Sequence, residues 1–397
     1  MTRKLIIFIA SSLLFINTAF ALGNDNRRQI PPVLQNTYFG LNAGYLYIPY
    51  SNSDLKNNVT AKSVDNSLIA IKVSIGHYFN KYLALQLSYL RPIRWVKYHD
   101  IQGSTHSVWL SFLNLSLKPT LPLSSKFSIY GQLGGTYIAR RGFTVQGQTG
   151  MENANMVTLL AGAGAIYNIS KWLHLDLGLL YTAPRHHYNQ PYALYLSSGL
   201  FITLLPDANS PSVDNDHTDY IFPHNLIYAS FANSNVFYAE PSNIFSSSYF
   251  PVFWNGKIKV SSSYGLYFER NIFHTDRTFS LDWGASVTRN VSRNDNQTFY
   301  TASLYPEFKV WILRTHSFDF YFTYSVAGPT YISRTKLDGK DAGTHLTFQD
   351  FMGLGAFIGS HQQFNISIKM THFSNGNLFT SNPGIALPLT INAGYTF

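Results

Sequence analysis

The chain has 397 residues, no cysteine and a formal net charge of +9, from 29 Lys and Arg against 20 Asp and Glu. No cysteine means no disulfide framework, and a charged content of 12% sits well below the roughly 25% of a soluble domain. Aromatic residues reach 16% and apolar residues 45%, delivered by alternation with no helix-length apolar run after residue 21, a pattern that excludes a transmembrane helix and predicts transmembrane β-strands.

In chain order, residues 1–21 read as a secretory signal: Arg3 and Lys4, a short apolar stretch from Leu5 to Ile16, and the small-x-small site Ala19-Phe20-Ala21. An exported chain with no basic-aromatic motif is not expected to bind nucleic acid. Its excess of cations fits either solvated loops or attraction to the anionic headgroups of lipopolysaccharide.

Strands are predicted near 37–50, 66–80, 82–98, 106–120, 126–141, 155–168, 171–182 and 192–205. In 173–181, Leu173, Leu175, Leu177, Leu179 and Tyr181 share one face, while His174, Asp176 and Gly178 share the other. Residues 36–205 therefore form a first eight-stranded barrel. Residues 206–220 (PDANSPSVDNDHTDY) lack periodicity and read as a linker. A second set follows near 224–240, 256–271, 277–291, 298–313, 316–334, 344–359, 362–375 and 385–397. In the last, Leu387, Leu389, Ile391, Ala393, Tyr395 and Phe397 are expected on one side. The predicted fold is all-β: two tandem eight-stranded antiparallel transmembrane barrels, the second spanning 221–397. Even strand numbers place both ends of the linker in the periplasm, with short links such as Arg314-Thr315 as periplasmic turns. A single sixteen-stranded barrel is the competing architecture. A barrel of about eight strands is filled by side chains, which argues against a diffusive pore.

On strand 362–375, His372 and Ser374 fall on the same face as Phe364, Ile366, Ile368 and Met370, the face such a strand turns to lipid. Two polar groups there are costly, but a histidine and a serine two apart point the same way and can act as base and nucleophile.

Residues 372–384 resemble the signature of the lipid A 3-O-deacylase family, outer-membrane eight-stranded barrels in which His-x-Ser-Asn is followed by Leu, Asn and Gly. Here these are His372, Ser374, Asn375, Leu378, Asn382 and Gly384. The resemblance covers about residues 221–397. It implies hydrolysis of the 3-O-linked acyl ester of lipid A with no cofactor: Ser374 as nucleophile, His372 as base, and Asn375 with backbone N–H groups around Asn377 as oxyanion hole. A serine hydroxyl needs the imidazole to take its proton, and the tetrahedral intermediate needs preorganised donors. The family's catalytic glutamate, however, aligns with Ala386 (Leu387 after a one-residue shift), and no Asp or Glu lies between Thr371 and Phe397.

Strand 344–359 offers a substitute. Asp350 shares the outward parity of Leu346, Phe348, Met352 and Leu354. If the hairpin closes with Ile358 opposite Phe364, Asp350 stands opposite His372, with Cβ atoms roughly 5 Å apart. The site expected is thus a Ser374–His372–Asp350 triad across one hairpin. The rival is a non-catalytic surface barrel pair, an adhesin or structural envelope protein.

Other clusters carry less. Arg140-Arg141 and Arg185-His186-His187 read as solvated strand ends. Asp319, Glu307 and Lys309 read as the polar filling of the second barrel, and Gly353 and Gly355 as relief of crowding inside it. No metal-ligand spacing or nucleotide-binding loop is present.

Overall fold

The computed structural model describes residue 27 and residues 30–204, 220–234, 256–275, 277–379 and 381–397. The signal segment, most of the linker and residues 235–240 of the first strand of the second set lie outside the described residues. Among the described residues regular structure is strand, with three single-turn 3-10 segments. No helix there is long and apolar enough to cross a membrane.

The first barrel is built from β1 (Thr37–Tyr47), β2 (Ser67–Asn80), β3 (Leu83–Pro92), β4 (Ser104–Pro122), β5 (Phe127–Arg141), β6 (Ala154–Asn168), β7 (Leu173–Thr182) and β8 (Ala193–Leu204). Each pairs antiparallel with its sequence neighbour, and β1 closes on β8 from Thr37↔Leu204 to Tyr47↔Leu194. The second consists of β9 (Asn225–Asn233), β10 (Ile258–His274), β11 (Phe279–Ser292), β12 (Thr298–Arg314), β13 (Phe318–Ile332), β14 (Leu346–Ile358), β15 (Phe364–Ser374) and β16 (Thr390–Thr396). Here β9 closes on β16. Two self-closed rings exclude the sixteen-stranded alternative, and closure removes the unpaired edges an open sheet would leave in lipid.

The period of two does the sorting. Leu177, Leu179, Leu196, Leu200, Phe364, Ile366 and Ile368 are exposed on the outer surface, whereas Asp176, Ser367 and Lys369 are buried inside. In the second barrel Lys309 lies 2.8 Å from Glu269 and also pairs with Asp282, while Lys369 lies 3.1 Å from both Glu269 and Glu307. Below this network pack Tyr228, Trp311, Tyr321 and Phe357; toward the long-loop end Ile258, Phe299, Phe373 and Leu387 form an apolar plug. A Cβ at Gly355 would sit 2.4 Å from the Tyr321 ring, and one at Gly353 2.3 Å from the Ile368 carbonyl oxygen, the crowding that these glycines relieve.

Three local readings need correction. The last strand is not continuous over 385–397: Ile385–Ala386 is a separate two-residue strand, and β16 begins at Thr390. Pro388 has no N–H to give the ladder, the pairing slips there, and Leu387 turns into the interior plug. Arg140 is not solvated; it is buried and donates to the carbonyls of Glu152, Tyr188 and Asn189, tying outer loops together. His186 and His187 lie in a 3-10 turn, not in an extended strand.

Candidate active site

The β14–β15 hairpin closes with Ile358 opposite Phe364, which sets Asp350 opposite His372 and Phe348 opposite Ser374. Paired residues of an antiparallel ladder share a face, so Asp350, His372 and Ser374 all have the outward parity. They are nonetheless shielded: His372 is 3% and Asp350 6% exposed, while Ser374 is half-buried.

The two partners of the hairpin meet at 3.8 Å between His372 Nδ1 and Asp350 Oδ2, an ion-pair separation longer than a hydrogen bond. The other carboxylate oxygen, Asp350 Oδ1, accepts the Ala327 N–H at 2.7 Å. That donor comes from a bulge in β13, where the register shifts between Ser325 and Gly328 and Ala327 adopts φ +56°. The bulge leaves one N–H unpaired by the ladder and aims it at the carboxylate. Asp350 is thereby oriented from one side and faces the imidazole with its other oxygen. Both His372 ring nitrogens are buried without a hydrogen-bond partner among the described residues, so the Ser374–His372 hydrogen bond is not formed here. Such bonds are often long before substrate binds.

On the other side of His372 stands Ala386, its direct partner in the short Ile385–Ala386 strand. Histidine is therefore flanked by two positions of the same parity, one occupied by Asp350 and the other, where the family signature places its glutamate, by a methyl group.

The loop after Ser374 explains the spacing of the remaining signature residues. Asn382 Oδ1 accepts the Asn375 N–H at 3.1 Å, Asn382 Nδ2 donates to Asn377 Oδ1 at 3.1 Å, and Asn375 Nδ2 donates to the Ser381 carbonyl at 2.5 Å. The three asparagines thus stitch the loop closed, and Gly384 leaves it at φ +65°, where a side chain would be strained. Asn375 thus gives its backbone N–H and one of its two Nδ2 hydrogens to the loop, leaving the second Nδ2 hydrogen for another acceptor. The Leu378 N–H turns back to the Asn375 carbonyl. Among the described residues no acceptor takes the N–H groups of Gly376 and Asn377, which both have φ +61°. These are the free backbone donors nearest Ser374 in sequence.

Residues 254–395 match the family model described as lipid A 3-O-deacylase (PagL). The C-terminal half resembles the lipid A 3-O-deacylases. Residues 33–187 match the OmpA-like transmembrane domain, so the N-terminal half resembles small outer-membrane barrels. No curated protein matches the chain. Among solved structures, the outer membrane enzyme PagL is 16% identical over 44% of this chain and 99% of its own, with a TM-score of 0.32. Neisserial surface protein A gives 14% over 43% and 97%, TM-score 0.30. The N-terminal barrel of Pseudomonas aeruginosa OprF gives 15% over 42% and 97%, TM-score 0.28.

The register of Asp350 against His372 is the one the sequence predicts; the Ala327 donor and the stitching role of Asn382 are not in that reading. The sequence did carry a signal for the first: Pro329 cannot donate to a ladder, and a proline inside a strand marks a bulge nearby.

Proposed function

We propose that this protein is an outer-membrane serine esterase that removes the 3-O-linked acyl chain of lipid A, with residues 36–205 and 221–397 as its two barrel domains and 206–220 as a periplasmic linker. The observation that carries the reading is Asp350 facing His372 across the β14–β15 ladder, two residues from Ser374 on the lipid-facing parity, in the half that matches the deacylase family. Lipid-facing parity suits a substrate that never leaves the bilayer. In this reading the ester lies at the long-loop end near the headgroup boundary, where water is available.

In the proposed reaction His372 takes the Ser374 Oγ proton as Oγ attacks the ester carbonyl carbon. The N–H groups of Gly376 and Asn377 hold the oxyanion, each such donor contributing about 3 kcal/mol to lowering the barrier. Collapse breaks the bond to the sugar 3-oxygen, which leaves with the proton from His372. Water, deprotonated by His372, then cleaves the acyl-enzyme and releases the fatty acid. Asp350 stabilises the imidazolium that forms in each half-reaction.

Purified protein mixed with lipopolysaccharide should release the 3-linked fatty acid, and a fluorophosphonate probe should label Ser374. In Ser374→Ala both signals should vanish, a fall of at least roughly 1,000-fold in rate. Equal release by wild type and Ser374→Ala, or none by either, would overturn the reading in favour of a non-catalytic envelope barrel.

A further inference from the structure

Three strands of the N-terminal barrel carry one outward row, Tyr89 on β3, Leu113 on β4 and Tyr137 on β5, in direct register. Above it, Ser111 is paired with Ala139 and Trp109 with Arg141. This patch does not behave like the rest of the outer surface: Ser111 is 1% and Ala139 2% exposed, against 53% for Leu115 and 65% for Leu133 farther down the same two strands. The loop after Ser374 is seated on it. Tyr89 Oη donates to the Gly376 carbonyl at 2.7 Å, Tyr137 Oη to the Leu378 carbonyl at 2.7 Å, and Arg141 to the Phe379 carbonyl.

These three donors take consecutive or near-consecutive carbonyls of the loop that the proposed mechanism uses, and that has a consequence for its N–H groups. In a trans peptide the C=O and N–H point in opposite directions, and no cis bond occurs among the described residues. The Gly376 carbonyl and the Asn377 N–H belong to one peptide unit. Tyr89, by holding that carbonyl toward the first barrel, turns the Asn377 N–H away from it. Tyr137 does the same for the unit between Leu378 and Phe379. The Arg141 guanidinium, on the outward face, has its charge satisfied by the loop carbonyl it reaches.

Resting on the esterase reading, we propose that the N-terminal barrel is a positioning partner built into the same chain: Tyr89, with Tyr137 and Arg141, fixes the peptide that presents the Asn377 N–H to the oxyanion. Tyr89 touches neither substrate nor reacting atoms and acts through the loop.

The test has two arms on the full-length protein. For proximity, Tyr137→Cys with Leu378→Cys, in a chain that otherwise has no cysteine, should be joined by a short bis-maleimide and give a cross-linked peptide by mass spectrometry; Leu177→Cys with Leu378→Cys, on another face of the first barrel, should not. For function, Tyr89→Phe should lower kcat for fatty-acid release roughly tenfold, about one neutral hydrogen bond expressed in the transition state. KM and the circular-dichroism melt of both barrels should stay unchanged, a split that a purely structural role would not produce. Failure to cross-link overturns the docking. An active wild type whose kcat is unchanged or raised by Tyr89→Phe overturns the positioning role alone, the raised value marking the first barrel as a block. A wild type that releases no fatty acid overturns the esterase reading, and this role with it, whatever the cross-link shows.

Discussion

Among the described residues the acid paired with His372 is Asp350, on the strand before the histidine rather than on the strand after it. The parity of Asp350 and the hairpin register were both legible in the sequence, because a period of two and a short turn fix which residues face each other. The 3.8 Å separation and the Ala327 donor were not, since a bulge is a local departure from the ladder and only Pro329 hints at it. Asp350→Asn should keep the fold but lower kcat by roughly 100- to 10,000-fold, because the amide cannot stabilise the imidazolium; steady-state kinetics on lipopolysaccharide checks this. Since Ala386 pairs with His372 on its other side, an acid placed there should compensate. Asp350→Ala with Ala386→Glu is expected to recover at least a tenth of the wild-type rate, whereas Asp350→Ala alone does not. If the double variant stays as inactive as the single one, the two flanking positions are not equivalent and the acid does not act through His372.

At the scale of elements, the loop from Asn375 to Gly384 and the broken last strand belong together. Pro388 ends the ladder with β15, and the chain between Ser374 and β16 folds into a stitched loop instead of a simple hairpin turn. The signature positions in this loop were readable from the sequence, but their work was not, because hydrogen bonds between asparagines seven and five residues apart leave no periodic trace. Removing Asn382 deletes two of those bonds, each contributing about 1 kcal/mol. Asn382→Ala should therefore lower kcat by roughly tenfold or more, while leaving the barrel's thermal transition within a few degrees of wild type. A loss of the barrel transition would mean that the loop is part of the folding core, in conflict with its place outside the barrel wall.

For the whole molecule, two closed rings with filled interiors replace the open pore that sixteen strands would make. Composition, alternation and the count of eight plus eight were enough to anticipate this, since lipid admits only closed strand arrangements. The seating of the loop after Ser374 on the first barrel was beyond reach, because contacts between distant surfaces have no sequence period. With Glu269, Asp282, Glu307, Lys309 and Lys369 paired in the second interior, the protein should show no sustained conductance in planar bilayers; stable single-channel steps would contradict a filled barrel. Removing one cation from that network leaves buried carboxylates unpaired, so Lys309→Met should destabilise the second barrel by roughly 3–5 kcal/mol, read from urea unfolding in micelles. Hydrolysis of lipid A by this protein, as proposed, is read out by the mass spectrum of lipid A from cells that express it. Wild type is predicted to yield lipid A lighter by one 3-O-linked acyl chain, with Ser374→Ala and Asp350→Asn giving the full-mass species; identical spectra from all three would contradict it.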